Sequence, residues 1–176
     1  VKVGKLESSG RKIPDSSFRW NDGKTITSQN AEETRKWGES LAKSLAPGDI
    51  VALSGELGAG KTVLAQGILR GLGVEEIVQS PSFIMAREYN CRIPAVHLDL
   101  YRLRGSEEFR AIGLDEYLDD RHIVIIEWAE KIEDLLSRRC QDHRDPDLRR
   151  CHRISIAWGK NHPNQRVITY REMLVS

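Results

Sequence analysis

Gly55 to Thr62 (GELGAGKT) satisfies the pattern G-x-x-x-x-G-K-[ST], and each fixed residue has a mechanical reason to be there. Glycines let the main chain curl until successive N–H groups face inward on phosphate oxygens. The first turn of a following helix adds its positive dipole end. Lys61 is then placed to neutralise β- and γ-phosphates, and the Thr62 hydroxyl to ligate Mg2+. The chemistry implied is capture of a nucleoside triphosphate with magnesium by Glu56, Leu57, Gly58, Ala59, Gly60, Lys61, Thr62 and Val63. The plain alternative, a glycine turn that happens to contain Lys-Thr, is opposed by the flanks described below.

Such a site also needs an acid at the C-terminal end of a neighbouring strand, to hold the metal directly or through water and to orient the attacking nucleophile. Asp99 closes AVHLD and Glu127 closes IVIIE. Glu127 ends the more apolar run, but Asp99 is equally well placed for the rim where open α/β sheets bind ligands. Both are candidate catalytic and metal-ligating acids beside Lys61. Either one alone could instead be a solvated strand end or the partner of a nearby Arg. His97 is either a packed strand histidine or a group that orients Asp99.

The elements around these residues follow from periodicity. Asp49 to Ser54 (DIVALS) is a nearly continuous apolar run, the signature of a strand buried on both faces. Val63 to Leu72 repeats apolar residues at helical offsets and ends in Gly71 and Gly73, so the order is strand, glycine loop, helix. Before them, Ala31, Thr34, Trp37, Leu41, Ala42 and Leu45 predict an amphipathic helix, with Thr27, Ser28 or Asn30 as N-cap and Trp37 in the core. After them, strands are expected at Ser82 to Tyr89, Pro94 to Leu100 and His122 to Glu127, and helices at Gly113 to Leu118 and Ala129 to Leu136. His152 to Trp158 and Arg166 to Arg171 should form a C-terminal antiparallel pair, turned by the polar 161–165 stretch. The expected class is α/β, with a mixed, mostly parallel central sheet.

At 176 residues the chain suits one core. Residues 1–17 are polar and expected as a flexible arm, 18–176 as a single domain, and 137–150 as a charged loop insertion. Lys plus Arg, 27, nearly cancel Asp plus Glu, 26, so no overall field draws the chain to nucleic acid or membrane. Cys91, Cys140 and Cys151 are odd in number and scattered, which suits a reducing compartment. No apolar run approaches the roughly 18 residues of a membrane span, and a soluble, cytoplasmic chain is expected. Cys140, His143, Cys151 and His152 could form a zinc site, but their spacing matches no common finger and a solvated insertion is the better reading.

Several segments together resemble the bacterial TsaE (YjeE) family: GELGAGKT at 55–62, SPSF at 80–83, Tyr89, HLDLYRL at 97–103, GLDEY at 113–117 and IIEW at 125–128. The resemblance implies a P-loop NTPase-like three-layer sandwich that binds and hydrolyses ATP with Mg2+ for threonylcarbamoyladenosine modification of tRNA. It implies TsaB and TsaD as partners and contact with tRNA only indirectly. It makes Asp99 the catalytic or metal-organising acid, pairs Glu127 with Trp128, and places the segment from Thr27 to Thr34 near the adenine. Ser82, where the family usually has Thr, keeps the hydroxyl. Val63 replaces a common second Thr, and Ala129 stands where Pro often follows the Trp. A small-molecule kinase remains the alternative, with the arginine-rich stretch from Arg138 to Arg150 as its lid. A GTPase is disfavoured because no N-K-x-D segment is present, and a binding module with negligible turnover is the last reading.

Overall fold

The computed structural model describes residues 19–20, 23–141, 150–160 and 162–174. The strands are β1 (Arg19–Trp20), β2 (Lys24–Ser28), β3 (Ile50–Ser54), β4 (Ala86–Tyr89), β5 (Ala95–Asp99), β6 (Ile123–Glu127), β7 (Cys151–Trp158) and β8 (Arg166–Leu174). The helices are α1 (Ala31–Ala42), α2 (Lys61–Gly71), α3 (Ser106–Ala111) and α4 (Glu133–Gln141), with 3-10 turns at Leu114–Tyr117 and Ala129–Ile132.

All the strands form one sheet in the order β1-β8-β7-β3-β6-β5-β4, with β2 also on β8. β7, β3, β6 and β5 run parallel, while β4 and β8 are antiparallel to their neighbours. The apolar run of β3 is explained by alternation. Val51 and Leu53 face the layer of α1 and α2, with Leu64, Ile68, Ile125 and Ile156. Ile50 and Ala52 face the opposite layer, with Phe109, Leu114, Ile126 and Ile132. Two apolar cores on the two faces of one sheet make the three-layer α/β architecture.

Local signals explain where the elements start. Asn30 caps α1, its Oδ1 accepting from Glu33 N at 2.9 Å while the Glu33 carboxylate accepts from Gln29 N at 2.7 Å. Thr27 and Ser28, the other expected caps, belong to β2. Trp37 packs partly buried on the α1–α2 core, with its ring 6.0 Å from Tyr170.

Three expectations need correction. Residues 82–85 form a turn, since Ile84 N and Met85 N both bond to Pro81 O, and the strand begins only at Ala86. β1, β2 and α3 were not anticipated, because short segments with few apolar residues carry little periodic signal. The helix after β6 runs on to Gln141, into the stretch expected as a charged loop. Residues 142–149 and the arm at 1–17 lie outside the described residues.

Arg150 is no solvated loop residue. It donates to buried Asp49 at 2.6 Å and to Ser44 O at 2.6 Å, which fastens the start of β7 to the start of β3. His152 completes the knot, with Nε2 3.3 Å from Asp49 and Nδ1 2.9 Å from the Tyr170 hydroxyl. Cys151, the preceding residue of the strand, is buried on the opposite side of the sheet from His152. Of the cluster considered for zinc, His143 lies outside the described residues, as does the Cys140 side chain. Among the described residues, no three His, Cys, Asp or Glu are grouped to hold a metal.

Candidate functional site

The glycine loop joins the C-terminal end of β3 to the N-terminus of α2. Three of its glycines have positive φ: Gly55 at 141°, Gly58 at 75° and Gly60 at 107°. Gly55 also lies so close to β7 that a Cβ built there would fall 2.2 Å from Ile156 O, which only glycine tolerates.

Lys61 opens α2 and is 4% exposed. Its ammonium donates to Gly55 O at 2.6 Å and Glu56 O at 2.9 Å, and lies 3.6 Å from the centroid of the Trp128 ring. Burial pushes the Lys61 pKa down, and the negative charges of Glu127, Glu130 and Asp99 only partly offset this. The loop is thus wrapped around its own cation.

The two acids are register partners, Asp99 on β5 beside Glu127 on β6, both buried. Asp99 Oδ2 accepts from the hydroxyls of Ser80 and Ser82, the latter at 2.6 Å, and Oδ1 accepts from Tyr101 N at 2.9 Å. Glu127 Oε2 accepts from the Thr62 hydroxyl at 2.9 Å, while His97 Nε2 donates to Oε1 at 2.9 Å. His97 therefore holds Glu127, not Asp99, and its Nδ1 is buried without a hydrogen-bond partner among the described residues.

These groups share a cleft of about 460 Å3 with Leu57, Gly58, Gly60, Lys61, Thr62 and Val63 on one wall and Ser82, Asp99, Glu127 and Trp128 on the other. Trp128, one of two non-glycine residues with positive φ among the described residues, lines it. Such strain is held only where surrounding contacts impose it, and it concentrates at functional sites.

Not every expected residue reaches the cleft. Thr34 is 1% exposed, and its hydroxyl is already engaged by Ser28 Oγ at 2.8 Å and Asn30 O at 3.3 Å. Ala59 is buried and offers its carbonyl to Arg166 Nε at 2.9 Å, and Glu56 is exposed with its carbonyl on Lys61. Ser80 and the pairing of His97 with Glu127 were missed in the sequence. His97 could be placed on the face of Asp99 by strand alternation, but only the β5–β6 register brings it to Glu127.

The donor set fits the group it would hold. Thr62, Ser82, Asp99 and Glu127 offer only oxygens, the ligands of Mg2+, which takes one or two carboxylates and completes its shell with water and phosphate. Loop amides and one ammonium suit an oligophosphate, and two buried carboxylates beside them can orient a water or hydroxyl. No described helix is long and apolar enough to cross a membrane.

Comparisons with known proteins agree with this layout. A sequence model for "Threonylcarbamoyl adenosine biosynthesis protein TsaE" matches residues 28–166. The chain is 37% identical over 166 residues to the tRNA threonylcarbamoyladenosine biosynthesis protein TsaE of Mycobacterium bovis, spanning 86% of this chain and 96% of that protein. It is 42% identical over 108 residues to the protein of the same name from Bacillus subtilis, covering 61% of this chain and 67% of the relative. The crystal structure of YdiB from B. subtilis superposes with a TM-score of 0.66 at 29% identity, over 92% of this chain and 90% of that one. With the family match covering most of the sequence and the glycine loop and both strand-end acids inside it, the chain belongs to the TsaE family.

Proposed function

We propose that the chain binds ATP with Mg2+ in the cleft between the glycine loop and the β5–β6 strand ends, and hydrolyses it in service of tRNA threonylcarbamoyladenosine biosynthesis. The supporting observation is the convergence of Lys61 and Thr62 on Asp99 and Glu127 within one cleft. The names of the relatives supply the pathway, and the family resemblance supplies TsaB and TsaD as the proteins acted upon.

In this reading Lys61 exchanges its two carbonyl partners for phosphate oxygens, and the loop amides hold the remaining charge. Thr62 and Glu127, joined by a hydrogen bond at 2.9 Å, would hold the Mg2+. Mg2+ would supply charge neutralisation across the terminal phosphates. Asp99, fixed by Ser80, Ser82 and Tyr101 N, orients the attacking water, and Trp128 covers the ammonium from one side. His97 keeps the Glu127 carboxylate turned toward Thr62. A soluble, cytoplasmic protein that meets tRNA through its partners accords with this role.

The kinase alternative needs an arginine lid over the cleft. Arg150, at the end of the lid-like stretch, is instead tied to Asp49 at the end of the parallel strands away from the glycine loop. The deciding assay measures phosphate release from ATP and GTP by the chain alone and then with TsaB and TsaD, with Lys61→Ala as the blank. ATP hydrolysis that rises with the partners is expected. Transfer of phosphate to a small acceptor, or no nucleotide binding at all, would sink the proposal.

A further inference from the structure

A strand-end carboxylate can orient a water only as well as the turn that follows it is held. β5 ends at Asp99, and the chain turns at once through Leu100 to Leu103, where Leu103 N donates to Leu100 O at 2.9 Å. Resting on the reading of Asp99 as the acid that orients the attacking water, we propose that Lys131 is a positioning residue for that acid. Its ammonium braces the turn whose Tyr101 N–H holds the carboxylate.

The two ends of the turn are anchored without help. Leu100 and Leu103 are buried, and Leu100 N donates to Glu127 O at 3.1 Å. The middle is not held by burial, since Tyr101 is 48% exposed and Arg102 is exposed beside it. Yet Tyr101 bears on the cleft in two ways. Its N–H donates to Asp99 Oδ1 at 2.9 Å, and its ring centroid lies 5.2 Å from that of Trp128, the indole that covers the Lys61 ammonium.

Lys131 belongs to the 3-10 turn that follows Glu127 and β6. Its ammonium donates to Tyr101 O and to Leu103 O, the latter at 2.7 Å, and neither carbonyl has another donor among the described residues. Glu130, Glu133 and Asp134 are close along the chain, but among the described residues Lys131 makes no ion pair. Charge-assisted bonds from one ammonium thus fix two main-chain carbonyls at once. They tie the segment after Asp99 to the segment after Glu127, so the two acids are linked beyond the strand ends as well as through the β5–β6 register.

Without the ammonium both carbonyls lose their partner, and the Tyr101 N–H is free to drift from Asp99 Oδ1 while Ser80 and Ser82 still hold Oδ2. Misplacing an orienting group by about 1 Å can cost about 100-fold in rate. Lys131 is not among the residues that line the cleft, so nucleotide affinity should survive its loss.

The test compares wild type, Lys131→Met and Lys131→Arg by amide hydrogen exchange of the full chain, by calorimetric titration with ATP and Mg2+, and by single-turnover ATP hydrolysis with TsaB and TsaD present. Lys131→Met should speed exchange of the Tyr101 and Leu103 amides, keep the ATP Kd within about twofold and slow hydrolysis about 10- to 100-fold. Lys131→Arg, which keeps a cation with several donors, should restore most of the protection and of the rate. Should Lys131→Met fail to fold, Lys131→Gln carries the same comparison. An unchanged rate would overturn the proposal. Slower hydrolysis without faster Tyr101 exchange would also overturn it, assigning Lys131 to partner docking, as would a loss of ATP affinity as large as the loss of rate, which would assign it to shaping the pocket. Full hydrolysis by Asp99→Ala, or wild type that binds ATP without hydrolysing it, would instead overturn the reading of Asp99 on which the brace depends.

Discussion

Replacing Gly55 by Ala tests how closely the glycine loop is pressed on β7. Two costs combine. At φ 141° an L side chain is strained by about 1–3 kcal/mol. The new Cβ would also lie 2.2 Å from Ile156 O, and real Cβ atoms stay beyond 3.0 Å, so the end of β7 must retreat by about 0.8 Å. Overpacking of this kind adds about 1–3 kcal/mol. Gly73→Ala is the matched control, because its φ of 96° carries the backbone strain while nothing lies within 4 Å of the built Cβ. The difference between the variants, about 1–3 kcal/mol, corresponds to roughly 2–12 °C in Tm for a chain of this size. Urea and thermal melts of both variants measure it. Nucleotide titration adds a second reading, since Gly55 O is a Lys61 acceptor and Gly73 lies at the far end of α2. If Gly55→Ala proves no more destabilising than Gly73→Ala, the contact between loop and strand does not have the cost assigned to it.

The other predictions concern the buried charges. Lys61→Ala should weaken ATP by about 10- to 150-fold, the worth of a hydrogen bond to a charged group, whereas Asp99→Ala should keep binding within a few-fold and lower hydrolysis; loss of nucleotide by Asp99→Ala would contradict this division. His97→Ala leaves Glu127 Oε1 unpaired and should raise the Mg2+ concentration needed for tight nucleotide binding, with His97→Gln restoring it; equal Mg2+ titrations for all three proteins would assign His97 to packing alone. Burial by itself raises the Asp49 pKa, but hydrogen bonds from His152, Ala46 N and Arg150 hold it below the ordinary carboxylate value. A depressed folded pKa contributes stability that is full above the unfolded value near 3.8 and is lost as pH falls below it. Asp49→Asn should therefore flatten the acid limb of the stability curve, and an unchanged limb in urea melts from pH 5 to 2 would refute the assignment.

The sequence made the phosphate loop legible because its geometry is encoded locally, in glycines and a lysine within a single turn. β3 and β6 were legible for a related reason: burial on both faces leaves an uninterrupted apolar run. Lateral partners were not. Asp99 and Glu127 could each be nominated as strand ends, but their adjacency, and the reach of His97 to Glu127, arise from the β5–β6 register. Arg166 was visible only as a strand residue, because its reach to Ala59 comes from the pairing of β7 with β3 and of β8 with β7. Asp49, at the start of a strand, gave no hint of the knot with Arg150, His152 and Tyr170, whose members are up to 121 positions apart along the chain.

The enclosure of Lys61 by main-chain oxygens and an indole has a consequence for how tightly a ligand can be kept. An arriving anion meets an ammonium that is already fully coordinated, so it gains the difference between two sets of partners instead of the whole attraction of a bare charge. Exchanges of that kind yield only about 1 kcal/mol per bond, so little free energy opposes their reversal. A pocket built this way returns to a satisfied state once its occupant departs, which suits a protein that must be emptied and refilled repeatedly.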